Sequence, residues 1–292
     1  MSKTKLVLLI LLGLLGSIIF MFSDRAGPAP DHPYLAPRRC RVIAHRGGAG
    51  LWPENTLLAY TNAHELGVDI IEMDVRITRD GIPVLCHDAS VSRTTNGSGR
   101  IDAMTFEDLQ RLDAGYRWTI NGGQAFPFRN RGIRIPALQE VFVVLPNARY
   151  NIEFKIGGSE ILQEVNRLVI RHKMSDKVMF VSASNSTIVD FRSISPDIAT
   201  AASFKEGLLF YATSALGMDV MYTPKYLAFQ SPEFVFGIKL LTPSVIAAAH
   251  THNLEIHAWT IDSGDEMRRF IDMGVDGIIT NYPDRLIEIV AN

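Results

Sequence analysis

Between Val42 and Asp88, three apolar runs each carry polar residues able to do chemistry. His45-Arg46 follows Val-Ile-Ala, Glu72-x-Asp74 sits in Val-Asp-Ile-Ile-Glu-Met-Asp, and His87-Asp88 follows Ile-Pro-Val-Leu-Cys. Glu72 and Asp74 are two apart on an expected strand, so they project to the same side. Two carboxylates on one face repel unless a cation lies between them, and hard oxygen ligands favour one Mg²⁺ or Ca²⁺ over zinc. His45 and His87, at the ends of neighbouring strands, can flank one substrate. Two imidazoles, one protonated and one neutral, supply a proton donor and a proton acceptor near pH 7. Arg46 offers a planar fork suited to phosphate oxygens. Together these are the groups that phosphodiester cleavage requires: charge on the non-bridging oxygens neutralised, a proton taken from the nucleophile, a proton given to the leaving alkoxide. Each feature alone has an ordinary explanation. A lone strand-end His is more often structural, and a lone Glu-x-Asp is usually a pair of surface carboxylates. Three successive strand ends make the case jointly.

The elements that must position these groups follow from the same stretch. Apolar runs of four to eight residues read as buried strands of a parallel sheet, whose C-terminal ends are where sites are built. Pro53-Glu54-Asn55-Thr56 opens a helix running to about Leu66, with Gly67 as its stop. Asp74 to Pro83 joins the second and third strands in too few residues for a crossover helix, so the fold is irregular there. A long Gly- and Asn-rich excursion over about 89–135 follows, with Thr105 as an N-cap and Asp108 at the third helical position. Asn151 to Lys155 is the fourth strand, and Glu153 and Lys155 share one face of it. Strands are also expected at Val178–Ala183, Ile198–Ser203, Tyr226–Gln230 and Leu254–Thr260, the last with Trp259 at its end. With the run Gly277-Ile-Ile-Thr near the C-terminus, Tyr226–Gln230 makes one candidate more than the eight strands of a parallel α/β barrel, so one lies outside such a barrel or in an irregular connection.

The series His-Arg-Gly, Pro-Glu-Asn-Thr, Glu-x-Asp, Asp-Gly-x-Pro-Val-x-x-His-Asp and Arg-Thr-Thr-x-Gly-x-Gly resembles the glycerophosphodiester phosphodiesterase family over about 40–292. It continues at Asn151-Ile-Glu-Phe-Lys155, Trp259-Thr260 and Gly277-Ile-Ile-Thr-Asn-Tyr-Pro283. The resemblance implies an α/β fold, a TIM (β/α)₈ barrel with an insertion after the third strand. It implies that Glu72, Asp74 and Glu153 hold the metal, that Arg46 and Lys155 hold the phosphate, and that His45 and His87 are the catalytic acid and base, in that direction. Trp259 is expected to line the substrate site, and the insertion to cover the mouth. The family mechanism uses the substrate's own glycerol hydroxyl as first nucleophile, through a cyclic phosphate; direct attack by water is the alternative. Two positions depart from the family pattern. Asp262 stands where Asn is usual, and Asn281 follows Thr280 where Asp is usual. The apolar stretch Gly207–Gly237 reads either as barrel core plus a helix or as a wall for an acyl chain. The second option resembles the membrane-anchored branch of the family, whose lysophospholipase D enzymes act on lysophospholipids.

The 292 residues and 47% hydrophobic content fit one domain of roughly 250 residues plus an appendage. A net charge of −2 gives no sign of a nucleic-acid partner. Leu6–Phe22 is an uncharged apolar run preceded by Lys3 and Lys5, expected as a hydrophobic transmembrane helix or a cleaved signal within residues 1–23. By that reasoning the chain is membrane-anchored, or secreted after cleavage, with the barrel outside the cytoplasm. Residues 24–39 read as a short linker to a barrel over 40–292, and Arg38, Arg39 and Arg41 as lying near lipid headgroups or on an ordinary solvated surface. Cys40 and Cys86, the two cysteines, fall near opposite ends of the barrel, too far apart for a disulfide.

Overall fold

A computed structural model describes residues 27–35, 40–218 and 222–291. The chain runs β1 (Arg41–Ala44), α1 (Leu57–Leu66), β2 (Ile70–Ile77), β3 (Pro83–Leu85), α2 (Phe106–Gln110), α3 (Leu138–Val144), β4 (Tyr150–Phe154) and α4 (Ser159–Arg171). It continues through β5 (Val178–Val181), α5 (Asn185–Ile194), β6 (Ala199–Thr200), α6 (Phe204–Ala215), β7 (Ala228–Ser231), β8 (Phe234–Val235) and β9 (Ile238–Lys239). Last come α7 (Pro243–Thr251), β10 (Glu255–Ala258), α8 (Gly264–Asp272), β11 (Gly277–Thr280) and α9 (Pro283–Val290).

Eight strands run parallel in the order β6-β5-β4-β2-β1-β11-β10-β7. A parallel bridge between Ala201 and Ala228 joins the two ends, so the sheet is a nearly closed TIM barrel. The local sequence accounts for the elements. Thr56 caps α1 by accepting from the Ala59 amide, and Gly67 ends it in the left-handed conformation at φ 90°. In α4 the buried residues Ile161, Leu162, Val165, Leu168 and Val169 recur at helical spacing and press one face against the barrel.

The extra candidate strand is β3. It pairs antiparallel with β2, in the register Val75–Leu85, Arg76–Val84 and Ile77–Pro83, so His87 stands on a hairpin lip outside the eight-strand wall. The expectation of a third parallel strand is therefore corrected. The short connection that rules out a crossover helix is the signature of a hairpin. The insertion that follows has its own small core of Val84, Cys86, Val91, Ile101, Leu109, Ala114 and Ile135. Thr105 and Asp108 form a reciprocal capping box at the start of α2. Cys86 is a buried thiol outside any disulfide.

The expected localisation is also corrected. Among the described residues no helix is long and apolar enough to cross a membrane. The helices framing the barrel are short: α4, at 13 residues, extends about 20 Å, against the roughly 30 Å of a bilayer's hydrocarbon core. The run Leu6–Phe22 lies outside the described residues. Within the expected linker, residues 27–35 pack onto the barrel's floor: Tyr34 is fully buried and the Ala29 amide donates to the His252 carbonyl.

Arg41 lies neither near headgroups nor on a solvated surface. It is buried, and its guanidinium donates to Glu255 from Nε at 3.0 Å. Above it a polar column rises through the barrel. Glu255 meets His257 Nε2 at 2.9 Å, His257 Nδ1 meets the Gln230 amide at 3.1 Å, and Gln230 pairs with Asn151. Burial alone would raise the Glu255 pKa, but bonds from His257 and Arg41 hold it at about 2. A carboxylate depressed in this way stabilises the fold above its unfolded pKa near 4.5, and the contribution disappears as pH falls toward 2. The difference corresponds to about 3 kcal/mol. Glu255→Gln is expected to lower the Tm by roughly 6–10 °C at pH 7 and to flatten the acid limb of the stability profile, measured by thermal denaturation across pH. An unchanged Tm would remove the pair from the account of stability.

Candidate active site

The strand ends β1, β2 and β4 and the β3 lip converge on one cavity of about 630 Å³. His45, Arg46, Glu72, His87, Glu153, Lys155 and Trp259 all line it. Asp74 completes the polar floor: Glu72, Asp74 and Glu153 each present a carboxylate oxygen within 4.8 Å of the others. All eight residues expected from the sequence are therefore gathered at one end of the barrel.

His45 ends β1 and opens a tight 3₁₀ turn, His45–Gly47. Arg46 takes a left-handed φ of 53°, uncommon outside glycine, and its backbone N–H donates to Glu72 Oε2 at 2.6 Å. The turn seats flat on α1. A Cβ at Gly47 would lie 2.8 Å from the Tyr60 ring and 2.9 Å from Ala59. The Arg46 side chain reaches Glu54 at 2.9 Å and has its Nε 3.3 Å from Asp74. Lys155 Nζ bridges Glu153 at 2.8 Å and Asp74 at 3.1 Å. Both cations thus stand against the carboxylates and line the cavity.

Asn55 is a positioning residue that sequence reasoning took only as part of a helix start. Its Oδ1 accepts from Tyr60 Oη at 2.8 Å and from the Asp74 amide at 3.1 Å, which leaves its Nδ2 to donate to Asp74 Oδ2 at 2.8 Å. Asp74 Oδ1 is buried 3.1 Å from the Lys155 ammonium. Three carboxylates that each bring an oxygen within 4.8 Å of the others fit a hard divalent cation.

The electrostatics agree with that fit. Burial raises the Glu72 pKa well above the usual value, and the neighbouring Asp74 and Glu153 charges raise it further. Burial would raise Asp74 too, but Lys155, Arg46 and the Asn55 amide hold it below its usual value. The two carboxyls of one strand are thus pushed apart in proton affinity because a single site cannot hold both charges unaided. His45 is lowered, first by burial and then by the adjacent Arg46 cation.

His87 Nδ1 lies 2.8 Å from Asp88 Oδ1, and a carboxylate can only accept, so that nitrogen carries a proton. Arg93 from the insertion fixes Asp88 with Nε at 2.7 Å and grips Glu54 at 2.6 and 2.7 Å. The insertion acts on the site through this ion network. None of the cavity-lining residues comes from 89–135, so the expectation that it covers the mouth is not met among the described residues. The wall is built instead by α6 and the β8–β9 hairpin: Leu208, Tyr211, Val235 and Phe236 of the apolar stretch Gly207–Gly237 face the cavity, with Phe204 and Ile238 flanking that stretch.

The sequence model of the "Glycerophosphoryl diester phosphodiesterase family" matches residues 45–285. A glycerophosphodiester phosphodiesterase of Caldanaerobacter subterraneus is 34% identical over 254 residues, covering 85% of this chain and 97% of that protein. One of Bacillus subtilis is 30% identical over 97% of both chains. The crystal structure of a glycerophosphodiester phosphodiesterase from Agrobacterium tumefaciens superposes with a TM-score of 0.68 at 25% identity, over 85% of this chain and 99% of that one.

Proposed function

The chain belongs to the glycerophosphoryl diester phosphodiesterase family, and from that premise we propose that it hydrolyses glycerophosphodiesters to an alcohol and glycerol 3-phosphate. The observation that carries the reading is the meeting, in one cavity, of an acidic triad, two cations and two imidazoles. Glu72, Asp74 and Glu153 would hold a divalent cation, Mg²⁺ or Ca²⁺ by their oxygen-only donors. When bound, that cation neutralises charge on the non-bridging phosphate oxygens. Arg46 and Lys155 turn their remaining donors to the same oxygens. His45 and His87 move the protons, and Trp259, 43% exposed at the rim, lines the entry.

A second reading is favoured by the apolar wall. A soluble diester needs only a polar mouth, whereas a lysophospholipid needs a groove for its acyl chain beside the phosphate site, and α6 with β8–β9 supplies one. The full chain should be stripped with EDTA, given back Mg²⁺ or Ca²⁺, and offered glycerophosphocholine and lysophosphatidylcholine in parallel, following choline. Metal-restored release from the soluble diester is the expected result. Release from the lysolipid alone would move the assignment to lysophospholipase D. Metal-independent release from both would remove the cation from the reaction.

A further inference from the structure

Asp262 and Asn281, the two departures from the family pattern, are one reciprocal arrangement aimed at His45. Asp262 lies in the loop after β10 and Asn281 directly after β11. Asp262 Oδ1 accepts from the Asn281 backbone N–H at 2.8 Å and from the Thr280 hydroxyl at 3.0 Å. Its Oδ2 lies 2.8 Å from Asn281 Nδ2, and Asn281 Oδ1 lies 2.8 Å from His45 Nδ1.

The polarity of this chain of bonds is forced. An ionised carboxylate only accepts, so the amide must turn its NH₂ toward Asp262. That leaves the amide oxygen, also only an acceptor, facing His45. His45 Nδ1 must then be the donor, and in the neutral ring the lone pair is on Nε2. A carboxylate in direct contact would favour imidazolium. A neutral amide does not, so the ring is held uncharged as well as oriented. His87 has a different partner, since the Asp88 carboxylate accepts directly from its Nδ1 at 2.8 Å.

We propose that Asn281, anchored by Asp262, is a positioning residue that locks His45 in the Nδ1–H tautomer, making His45 the first-step base and His87 the acid. This rests on the phosphodiesterase reading and reverses the direction that the resemblance carries. In the step, His45 Nε2 takes the proton of the attacking hydroxyl as its oxygen bonds to phosphorus. The bond from phosphorus to the leaving oxygen breaks, and His87 Nε2–H gives that oxygen its proton. The lowered His45 pKa, caused first by burial, agrees with a neutral resting ring.

The test begins without catalysis. Nitrogen-15 histidine spectra of the full chain near pH 8, with His45 assigned by the loss of its signals in His45→Ala, should show a protonated Nδ1 and a bare Nε2. A protonated Nε2 would overturn the proposal whatever the enzyme does. Asp262→Asn should mix the tautomers and lower kcat by roughly 10- to 100-fold with KM nearly unchanged. Asn281→Asp alone sets two carboxylates against each other. The double variant Asp262→Asn with Asn281→Asp restores the anchor and the single tautomer but sets a carboxylate on Nδ1, so it should recover part of the loss and shift the basic-ring limb of the kcat–pH profile upward. A double variant no better than the worse single one would reduce both residues to structural roles. With a glycerol phosphodiester carrying a p-nitrophenyl leaving group, which needs no proton, His87→Ala should recover most of its activity and His45→Ala none. The opposite pattern would return the acid role to His45. Inactivity of the wild type on every diester, with the tautomer as described, would count against the phosphodiesterase reading and not against the lock.

Discussion

Replacing His45 or His87 with Ala is expected to reduce kcat on a glycerophosphodiester by about 10²–10⁴-fold, while Tm changes little. Both rings line the cavity, and neither belongs to the three packed clusters of the core. Neither residue binds the phosphate, so the loss should fall on kcat and KM should move little. The stability effects should be unequal. His87 is about one-third exposed and truncates with little loss of packing, whereas His45 gives up its bond to Asn281. Steady-state kinetics beside thermal denaturation separate the two contributions. Turnover within a few-fold of wild type in both variants would remove acid-base catalysis from the site.

Glu72→Gln is expected to do two opposite things. It should lower metal-dependent turnover by about 10³-fold, since one oxygen of the triad loses its charge. It should also raise the Tm of the metal-free protein at neutral pH. The sign follows from the direction of the shift. Burial and the adjacent carboxylates raise the folded-state pKa of Glu72, so stability falls as pH rises from the unfolded value toward the folded one. An amide of the same shape removes that penalty while still accepting the Arg46 amide proton through its oxygen. Added Mg²⁺ or Ca²⁺ should raise the Tm of the wild type and leave that of the variant unmoved. A variant less stable than the metal-free wild type would mean that the triad is not a strained cluster awaiting a cation.

Most of the residues proposed to do the chemistry were legible because they stand at strand ends close together in the chain. Glu72 and Asp74 share a face by the two-residue period alone, and the structure puts both on the cavity floor. Strand direction was not legible. Periodicity reads the same for parallel and antiparallel strands, so β3 was placed in the wall although its five-residue link to β2 marks a hairpin. Asn55 and Glu54 were absorbed into a helix start because their partners, Asp74, Arg46 and Arg93, come from other segments. Asp262 and Asn281 each looked like weakened family positions. That they compensate one another is visible only when β10 and β11 lie side by side. The apolar stretch was read two ways because hydrophobicity does not distinguish facing the barrel from facing a cavity, and α6 does both: Phe210 is buried in the core while Leu208 lines the cavity.

The β3 hairpin has a consequence for how such an enzyme can change over generations. The eight-strand wall carries the acidic triad and His45; His87, Asp88 and Arg93 ride on a second unit, with its own small core, one strand's worth of pairing to the first and the Arg93–Glu54 ion pair. Lengthening or trading the second unit alters where one proton is delivered without disturbing barrel closure. Exchanging that lip would change the group that meets the leaving oxygen and, through Arg93 and Glu54, the support under Arg46.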